Sequence, residues 1–329
     1  MKLPLTTTLS LLGQQTYESA VAAAVRAPSV HNTQPWLFSR HNNAVHVRAN
    51  RARWLTEEDP LGRELHLSCG GAVRHLVLAL RAVCLEVTCG LVPDPDDADL
   101  LAVVTVVGSA RPTLPEVALY EALWTRHTDR SRFLDVPVPE RVMHRLRTIA
   151  EAEDCSLDVL GEEDVLRLAV LTDHAERLLE NDPALAGEQQ RWTSPAHAPR
   201  QGVPMSPPEP RGSDVPLRRF GQVGAGEADS SGEPPPVERP VHVVLSTATD
   251  DPSSWLSAGW TLSDLLLTLE QERLVASPST QVLELPGLRA QLRGALGLQG
   301  APQMVLRLGY PEGTGSLRTS RRPVAEVLR

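Results

Sequence analysis

Segments with helical and with strand-like patterns succeed one another twice along this chain of 329 residues. In the first series, the apolar residues of 61–83 recur every three or four positions and predict an amphipathic helix, and the β-branched run 100–107 predicts a buried strand. The second series predicts a long helix over 162–180 and a strand over 241–246. Strands that alternate with helices favour an α+β or an α/β fold. Two similar series indicate two halves that share one sheet system.

The same periodicities predict the other elements of the chain. Helices are expected over 17–25, 116–124, 139–150, 253–273 and 288–296, and short strands over 45–47, 156–160 and 304–308.

A segment rich in proline and glycine interrupts the second series at 194–240. It contains eleven prolines and six glycines in 47 residues, a composition that excludes regular secondary structure. A disordered linker is one interpretation. Since the segment lies between a helix and a strand of the same series, we favour a lid that leaves the fold and re-enters the same unit.

Composition excludes several classes of protein. The chain carries 32 basic and 41 acidic side chains, a net charge of -9, and it has no basic run with which to hold the phosphates of a nucleic acid. No apolar stretch reaches the roughly 18 residues of a membrane span. Four cysteines without a Cys-x-x-Cys pair, and a poor secretory signal, favour reduced thiols and a cytoplasmic location.

Residues 27–36 form a polar segment that contains two prolines, which restrict its backbone. Ser29, His31, Asn32 and Gln34 give it hydroxyl, imidazole and amide groups that donate and accept hydrogen bonds. A segment with these polar groups suits a flat heteroaromatic ligand with carbonyl oxygens and ring nitrogens. The alternative is a polar turn that caps the preceding helix, and spacing alone favours that alternative.

A second polar segment, Arg-His-Thr-Asp-Arg, follows a predicted helix. Arg126, Thr128 and Arg130 alternate, so in an extended stretch they point the same way and place two guanidinium groups around a hydroxyl, as in a phosphate site. The alternative is a solvated turn in which Asp129 pairs with an arginine. A third segment, Ser-Arg-Arg-Pro at 320–323, is an exposed basic tail unless the fold brings it to these arginines.

The three segments together resemble a known family. Residues 27–36, Ala-Pro-Ser-Val-His-Asn-Thr-Gln-Pro-Trp, resemble the Pro-Ser-Ser-x-Asn-x-Gln-Pro-Trp signature of the nitroreductase superfamily, and with Ser-Cys-Gly-Gly-Ala at 68–72 they look like its actinobacterial Acg-like family. Residues 126–130 are similar to the Arg-x-Ser-x-Lys or Arg phosphate motif, and 302–310 with 320–323 are similar to the last strand and the C-terminal tail. The resemblance covers nearly the whole chain apart from the proline-rich segment.

The order of the motifs implies how the chain is organised. In ordinary nitroreductases two subunits share each FMN: one holds the phosphate, and the Pro-Ser-Ser loop of the other covers part of the ring. Here the first series has the loop without a phosphate motif ahead of it, and the second has the phosphate motif without the loop. The resemblance therefore implies an α+β, nitroreductase-like pseudodimer that binds one FMN per chain. We expect halves at 1–113 and 114–329, the latter including the lid at 194–240, and a monomer, with a higher oligomer as the open alternative.

The resemblance also implies roles for individual residues. It implies that the phosphate is bound by Arg126, Thr128 and Arg130 together with Arg321, or with Arg322 if the alignment of the tail is shifted by one residue. It implies that the ribityl chain and the ring are lined by Ser29, Val30 and His31, with Asn32 and Gln34 behind them. The loop past the N5 edge of the flavin corresponds to Ser277, Pro278, Ser279 and Thr280, where Thr280-Gln281 stands in place of the family's usual Glu-Gly pair.

The function implied by the resemblance is that of an FMN-dependent oxidoreductase. It would act on a small organic substrate by hydride transfer through flavin N5, with NAD(P)H as electron donor and without a catalytic side chain or a metal. The alternative is a protein that sequesters FMN under the lid with little or no turnover. A cofactor-free interaction protein would require three motifs to match by chance.

Overall fold

The computed structural model describes residues 11–193, 202, 215–216, 238–313 and 319–329. The helices are α1 (Gln14–Ala24), α2 (Arg63–Ala82), α3 (Leu114–Ala122), α4 (Glu140–Ala152), α5 (Glu162–Glu180), α6 (Pro183–Thr193), α7 (Pro252–Gln271), α8 (Gln281–Glu284) and α9 (Pro286–Ala295). The strands are β1 (Trp36–His41), β2 (Ala44–Ala49), β3 (Leu85–Leu91), β4 (Leu100–Ser109), β5 (Cys155–Val159), β6 (Val241–Thr247), β7 (Val275–Pro278) and β8 (Ala301–Gly309).

The strands form two separate sheets with the same topology. The first has the order β1-β2-β4-β3 and the second the order β5-β6-β8-β7, and every neighbouring pair is antiparallel. A long helix connects the second and third strands in chain order of each sheet: α2 in the first and α7 in the second. The two predicted halves are confirmed, and the antiparallel sheets make the fold α+β. The expectation that the halves share one sheet system is wrong, because each half forms a sheet of its own.

The long helices α2 and α7 pack against each other through glycines in a reciprocal contact. A Cβ on Gly70 would lie 2.1 Å from the carbonyl oxygen of Leu256, and a Cβ on Gly259 would lie 2.0 Å from that of Leu67. Each helix has 20 residues, and alignment from their first residues pairs Leu67 with Leu256 and Gly70 with Gly259. The contact is therefore isologous, as between the subunits of a twofold dimer.

Each sheet packs its own core, and the central helices join the two. The first core lies between the first sheet and helices α1 to α3, and it includes Leu256 and Leu267 of α7. The second lies between the second sheet and helices α4 and α7, and it includes Leu67 of α2. A third cluster covers the other face of the second sheet with α5, α8 and α9.

The C-terminal tail crosses from the second half to the first. The backbone N–H of Phe38 in β1 donates to the carbonyl of Val327 at 2.8 Å, and that of Arg329 donates to the carbonyl of Phe38 at 2.8 Å. Val327 is fully buried in the first core. The tail thus pairs with an edge strand of the other half, so the halves interlock in space; the boundary at residues 113 and 114 stays a prediction.

The structure extends the sequence prediction at several places. Strands β1, β3 and β7 and helices α6 and α8 were not predicted. Helix α6 begins directly at Pro183, where the prediction ended the preceding helix, because proline is well suited to the first turn of a helix. Most of the predicted lid at 194–240 lies outside the described residues. Among those described, no helix is long and apolar enough to cross a membrane.

Candidate functional site

A groove between the two halves has an apolar floor built from both of them. Side chains of the central helices and of β8 form this floor, and the backbones of Gly71 and Gly259 leave room above it. The apolar side chains are Leu67, Leu262, Leu266, Met304 and Leu306. An apolar floor with few polar groups at the rim is typical of a site for a small molecule or a cofactor.

The rim of the groove brings the predicted segments together. Pro28 to His31 enter it from the loop after α1, Thr128 and Arg130 from the second segment, and Pro278 and Thr280 from the end of β7. The first half therefore supplies one wall and the second half supplies the other. The polar residues that line the groove are Ser29, His31, Glu64, Ser68, Thr128, Arg130 and Thr280.

The loop after α1 has a strained backbone that local hydrogen bonds hold in place. His31, Asn32 and Gln34 have φ values of 45°, 53° and 53°, in the left-handed region that residues other than glycine rarely adopt. The hydroxyl of Ser29 accepts from the backbone N–H of Gln34 at 3.0 Å, and the backbone N–H of Val30 donates to the hydroxyl of Ser68 on α2 at 3.1 Å. Such strain persists only where the surroundings over-determine it, and it is common at functional sites.

Asn32 and Gln34 lie behind the wall and hold the C-terminal tail. The side-chain amide of Asn32 donates to the carbonyl of Ser320 at 3.1 Å and accepts from the guanidinium of Arg321 at 3.2 Å. The side-chain carbonyl of Gln34 accepts from the backbone N–H of Arg322 at 2.8 Å. The first segment therefore brings the tail to the second segment.

Two arginines of the predicted phosphate site, the buried Arg126 and the half-buried Arg321, have incomplete hydrogen bonding. Nε and Nη1 of Arg126, and Nε of Arg321, have no partner within the described part of the chain. Burial lowers the pKa of Arg126 to about 10. The negative charge of Glu270 opposes this decrease, and the positive charge of Arg26 adds to it. Burial lowers the pKa of Arg321 to about 9, with the positive charges of Arg126 and Arg26 adding to the decrease. The two guanidinium groups thus form a cationic cluster in which Arg126 is buried and Arg321 is half-buried.

Arg322, the alternative for the tail contact, has other surroundings. Its guanidinium donates to the backbone carbonyl of Glu326 and lies 3.6 Å from the carboxylate of the same residue. Its charge acts on Arg53, whose pKa is lowered to about 10 mainly by burial. The structure therefore places Arg321, and not Arg322, beside Arg126.

The segment 277–280 divides its side chains between two faces of β7. Pro278 and Thr280 line the groove, and the hydroxyl of Thr280 donates to the carboxylate of Glu284 at 2.8 Å. Ser277 and Ser279 are buried outside the groove lining, and neither hydroxyl has a partner among the residues that are described. The side chains of this segment therefore alternate between the groove and the interior.

The two central helices differ at the position that lines the groove. Alignment of the central helices pairs Gly71, which lines the groove, with Trp260. Trp260 packs against the first core, and the guanidinium of Arg74 lies 4.7 Å from its ring centre. Arg74 also pairs with Asp264 at 2.7 Å. The pseudodimer is therefore asymmetric at this position, with a glycine on one central helix and a tryptophan on the other.

Sequence reasoning missed the contribution of the central helices. The groove is lined by Leu67, Gly71, Gly259 and Leu262. His75 of α2 lies near the arginine cluster: burial lowers the pKa of its imidazole, and the positive charges of Arg126 and Arg321 lower it further. The signal was present as the pattern Leu-Ser-x-Gly, which occurs at the same position in α2 and α7.

Comparison with known proteins decides the family. The chain is 32% identical over 325 residues to the Mycobacterium tuberculosis protein named "Putative NAD(P)H nitroreductase Rv3131", with 95% of this chain and 91% of that protein covered. It belongs to the nitroreductase family. The Mycobacterium tuberculosis protein named "Putative NAD(P)H nitroreductase acg" is 29% identical over 326 residues, with 94% of each chain covered. The predicted Acg-like membership is confirmed.

The other comparisons add less about this nitroreductase. No family model matches it. Among solved structures, the FMN and NADPH-dependent nitroreductase NfnB from a Sphingopyxis strain is 16% identical with a TM-score of 0.41, covering 64% of this chain and 97% of that one. A nitroreductase with bound FMN from Bacteroides fragilis is 12% identical with a TM-score of 0.38, covering 62% and 94%.

Proposed function

We propose that this nitroreductase is an FMN-dependent oxidoreductase that holds one FMN in the groove and reduces or oxidises a small organic substrate, with NAD(P)H as electron donor. The arginine cluster carries this proposal. Neither Arg126 nor Arg321 forms a salt bridge with any described carboxylate. A buried charge is costly without a partner, and a phosphate group would supply acceptors for the unpartnered nitrogens.

The groove fits the rest of FMN in its chemistry. The apolar floor suits the flat isoalloxazine ring, and Ser29, Thr128 and Thr280 offer hydroxyl groups at the rim. Arg130 would extend the cationic end of the site toward the phosphate. When bound, FMN supplies hydride transfer through N5, and the protein supplies orientation, charge and access. These residues would hold the cofactor and exclude water from one face of the ring.

One FMN per chain follows from the asymmetry of the pseudodimer. The groove has glycine at position 71, whereas its twofold counterpart contains the indole of Trp260 and the ion pair of Arg74 with Asp264. A second ring would have to displace these side chains. We propose accordingly that the monomer is the functional unit, in the cytoplasm as the cysteine pattern suggests.

A second candidate function is sequestration of FMN. The carbonyl of Gly202, inside the predicted lid segment, accepts from the side-chain amide of Asn32 at 3.1 Å, directly behind the groove wall. Val215, in the same segment, is buried in the cluster over the second sheet. The segment is therefore attached to the folded body at two described points, one of them at the loop that forms the site.

Visible spectroscopy of the purified protein distinguishes these functions. We expect a bound flavin that is released on denaturation as FMN, and that is bleached by anaerobic NADH or NADPH. A flavin that binds and stays oxidised with both donors would favour sequestration. Absence of flavin after incubation with FMN would refute both.

A further inference from the structure

His75 of α2 is fully buried, yet its imidazole has no hydrogen-bond partner of regular geometry. Its side chain is 0% exposed. Neither Nδ1 nor Nε2 forms a hydrogen bond within the part of the chain that the structure describes. A buried polar group without a partner destabilises a fold, so a histidine at this position needs a functional explanation.

The position of His75 on α2 continues the row of residues that lines the groove. Glu64, Ser68 and Gly71 line the groove and follow one another at intervals of three or four residues, and His75 comes four residues after Gly71. Residues with this spacing lie on one face of an α-helix. His75 therefore lies on the groove-facing side of α2, one turn beyond the lining.

His75 and Arg321 approach the same turn of the backbone at the C-terminal end of α1. A hydrogen bond of 3.0 Å from the backbone N–H of Arg26 to the carbonyl of Ala23 closes this turn. The guanidinium of Arg321 donates to the carbonyl of Arg26 at 3.3 Å, and the carbonyl of Ala23 acts on the ring of His75. The imidazole thus lies beside the arginine cluster, near backbone carbonyls that favour a cation.

Three positive charges act on the ring of His75. Burial is the main reason that the pKa of His75 lies well below its usual range, and the charges of Arg126, Arg321 and Arg74 lower it further. The carbonyl of Ala23 opposes the decrease. From α7, Glu270 acts on Arg126. Without an anion in the site, the imidazole is therefore neutral at neutral pH.

The matching position of α7 has an acidic residue with a partner. Alignment of the two central helices from their first residues pairs His75 with Asp264. The carboxylate of Asp264 accepts a hydrogen bond from the guanidinium of Arg74 at 2.7 Å. The acidic residue of α7 is thus satisfied inside the protein, whereas the imidazole of α2 lies beside arginines that also lack acceptors. An anion from outside the chain would serve both.

We propose that binding of the FMN phosphate protonates His75, so that this histidine becomes the third cation of the phosphate site. This inference rests on the proposed function. A phosphate dianion held by Arg126 and Arg321 cancels the two positive charges that oppose protonation of the ring, and it adds acceptor oxygens. The proton comes from the solvent. Because the complex holds a proton that the free protein lacks, the affinity for FMN falls as the pH rises.

Isothermal titration calorimetry in buffers of different ionisation enthalpy measures this uptake of protons. At pH 6.5 we expect the wild type to take up about 0.5–1 proton per FMN more than His75→Gln does. The phosphate of FMN has a second pKa of about 6, but its contribution is the same for both proteins and cancels in the difference. Between pH 6 and pH 8, the FMN affinity of the wild type relative to the variant should fall by about fourfold or more.

His66→Gln is the matched control. His66 is a half-buried histidine of the same helix, and the pKa of its imidazole is also lowered mainly by burial, but the positive charge that acts on it is that of Arg51. This variant should take up as many protons as the wild type. Riboflavin has no phosphate, so the wild type and His75→Gln should not differ with riboflavin. Equal uptake by these two proteins with FMN, or a difference as large with riboflavin as with FMN, would overturn the proposal.

A measurement on the wild type alone does not depend on whether His75→Gln folds. Nitrogen-15 spectra of the imidazoles at pH 6.5, recorded with saturating FMN and with saturating riboflavin, should differ in one ring. This ring should carry protons on both nitrogens with FMN and on one nitrogen with riboflavin. Spectra in which every imidazole has the same protonation with both flavins would overturn the proposal. Failure of the wild type to bind FMN would instead refute the proposed function, so the two failures are distinguishable.

Discussion

Cationic side chains define the residue scale of this site. Arg126 is the first residue of the polar segment that follows α3, and Arg321 comes from the tail that Asn32 holds. Their charges oppose each other in an environment that already disfavours charge. Either arginine alone would be a surface feature in most proteins, but the two together, one buried and one half-buried, form a site that an anion would stabilise. This is why the cluster, and not the motif by itself, supports a phosphate site.

The phosphate assignment predicts a difference between two flavins. Hydrogen bonds to a charged group contribute about 1.5–3 kcal/mol each, so Arg126→Ala and Arg321→Ala should weaken FMN binding by about 10- to 100-fold. Riboflavin has no phosphate, and its affinity should stay within about twofold of the wild type by the same reasoning. Arg322→Ala is the control and should change neither. Titration by flavin fluorescence measures all of these, and equal losses for FMN and riboflavin would remove the assignment.

Asp59 gives the stability of the fold a pH dependence. Burial, and next the charge of Glu64, raise the pKa of Asp59 to about 7, although backbone N–H groups such as that of Leu65 oppose the rise. The folded state therefore keeps a proton that the unfolded state loses near pH 4. Asp59 therefore lowers the free energy of unfolding progressively as the pH rises from about 4 to about 7, by up to about 4 kcal/mol.

The variant Asp59→Asn should remove this dependence. Its amide carbonyl can still accept the Leu65 N–H, so the first turn of α2 keeps its hydrogen bond. In urea unfolding, the free energy of unfolding of the variant relative to wild type should increase between pH 5 and pH 8. A difference that is the same at both pH values would contradict the account.

Sequence reasoning predicted the residues of the rim better than those of the floor. The chemistry of Ser29, Thr128 and Arg130 is visible in short polar motifs, and all three line the groove. The choice between Arg321 and Arg322 depended on contacts of the tail with the first segment, which are remote in sequence. The floor residues Leu67 and Leu262 could not be distinguished from core leucines, because a leucine that lines a groove and one that packs in a core have the same spacing along a helix.

At the scale of elements, the close packing of α2 and α7 creates the shared site. The reciprocal contacts of Gly70 and Gly259 bring the helix backbones together. Because both helices also contribute to the groove, their separation sets its width. Their common Leu-Ser-x-Gly pattern could have predicted the pairing, whereas the four-residue strand β7, which ends in a proline, offered no period to detect.

Gly70→Ala should destabilise the fold. Its Cβ would meet the backbone of Leu256, which can move only with α7, and overpacking of this kind costs about 1–3 kcal/mol or more. Gly294→Ala on α9 is the control: nothing lies within 4 Å of its Cβ, and alanine is the better helix former by about 0.5–1 kcal/mol. Thermal unfolding should show a lower midpoint for the first variant and an equal or higher one for the second. Equal midpoints for the two would contradict the close packing.

At the scale of the molecule, the two halves have the same strand topology but contribute different residues to the groove. Both have the same strand order, yet the residue that lines the groove on α2 is Gly71, whereas the matching residue on α7 is Trp260. The tail that pairs with β1 ties the second half to the first sheet. A chain of this kind retains the architecture of a dimer and behaves as one unit.

The interlocked halves should unfold together. Residues of α7 lie in the first core and Leu67 of α2 lies in the second, so neither core is complete without the other half. Urea unfolding followed by far-ultraviolet circular dichroism and by tryptophan fluorescence should give coincident single transitions. Two separated transitions would show that the halves are independent domains.

The ratio of FMN to protein tests the central claim, that two halves of one chain build one flavin site. Native mass spectrometry of the FMN-saturated protein measures both the ratio and the assembly state. We predict a species that contains one chain and one FMN. Two FMN molecules per chain, or FMN bound only by species with two chains, would contradict the fused single-site architecture.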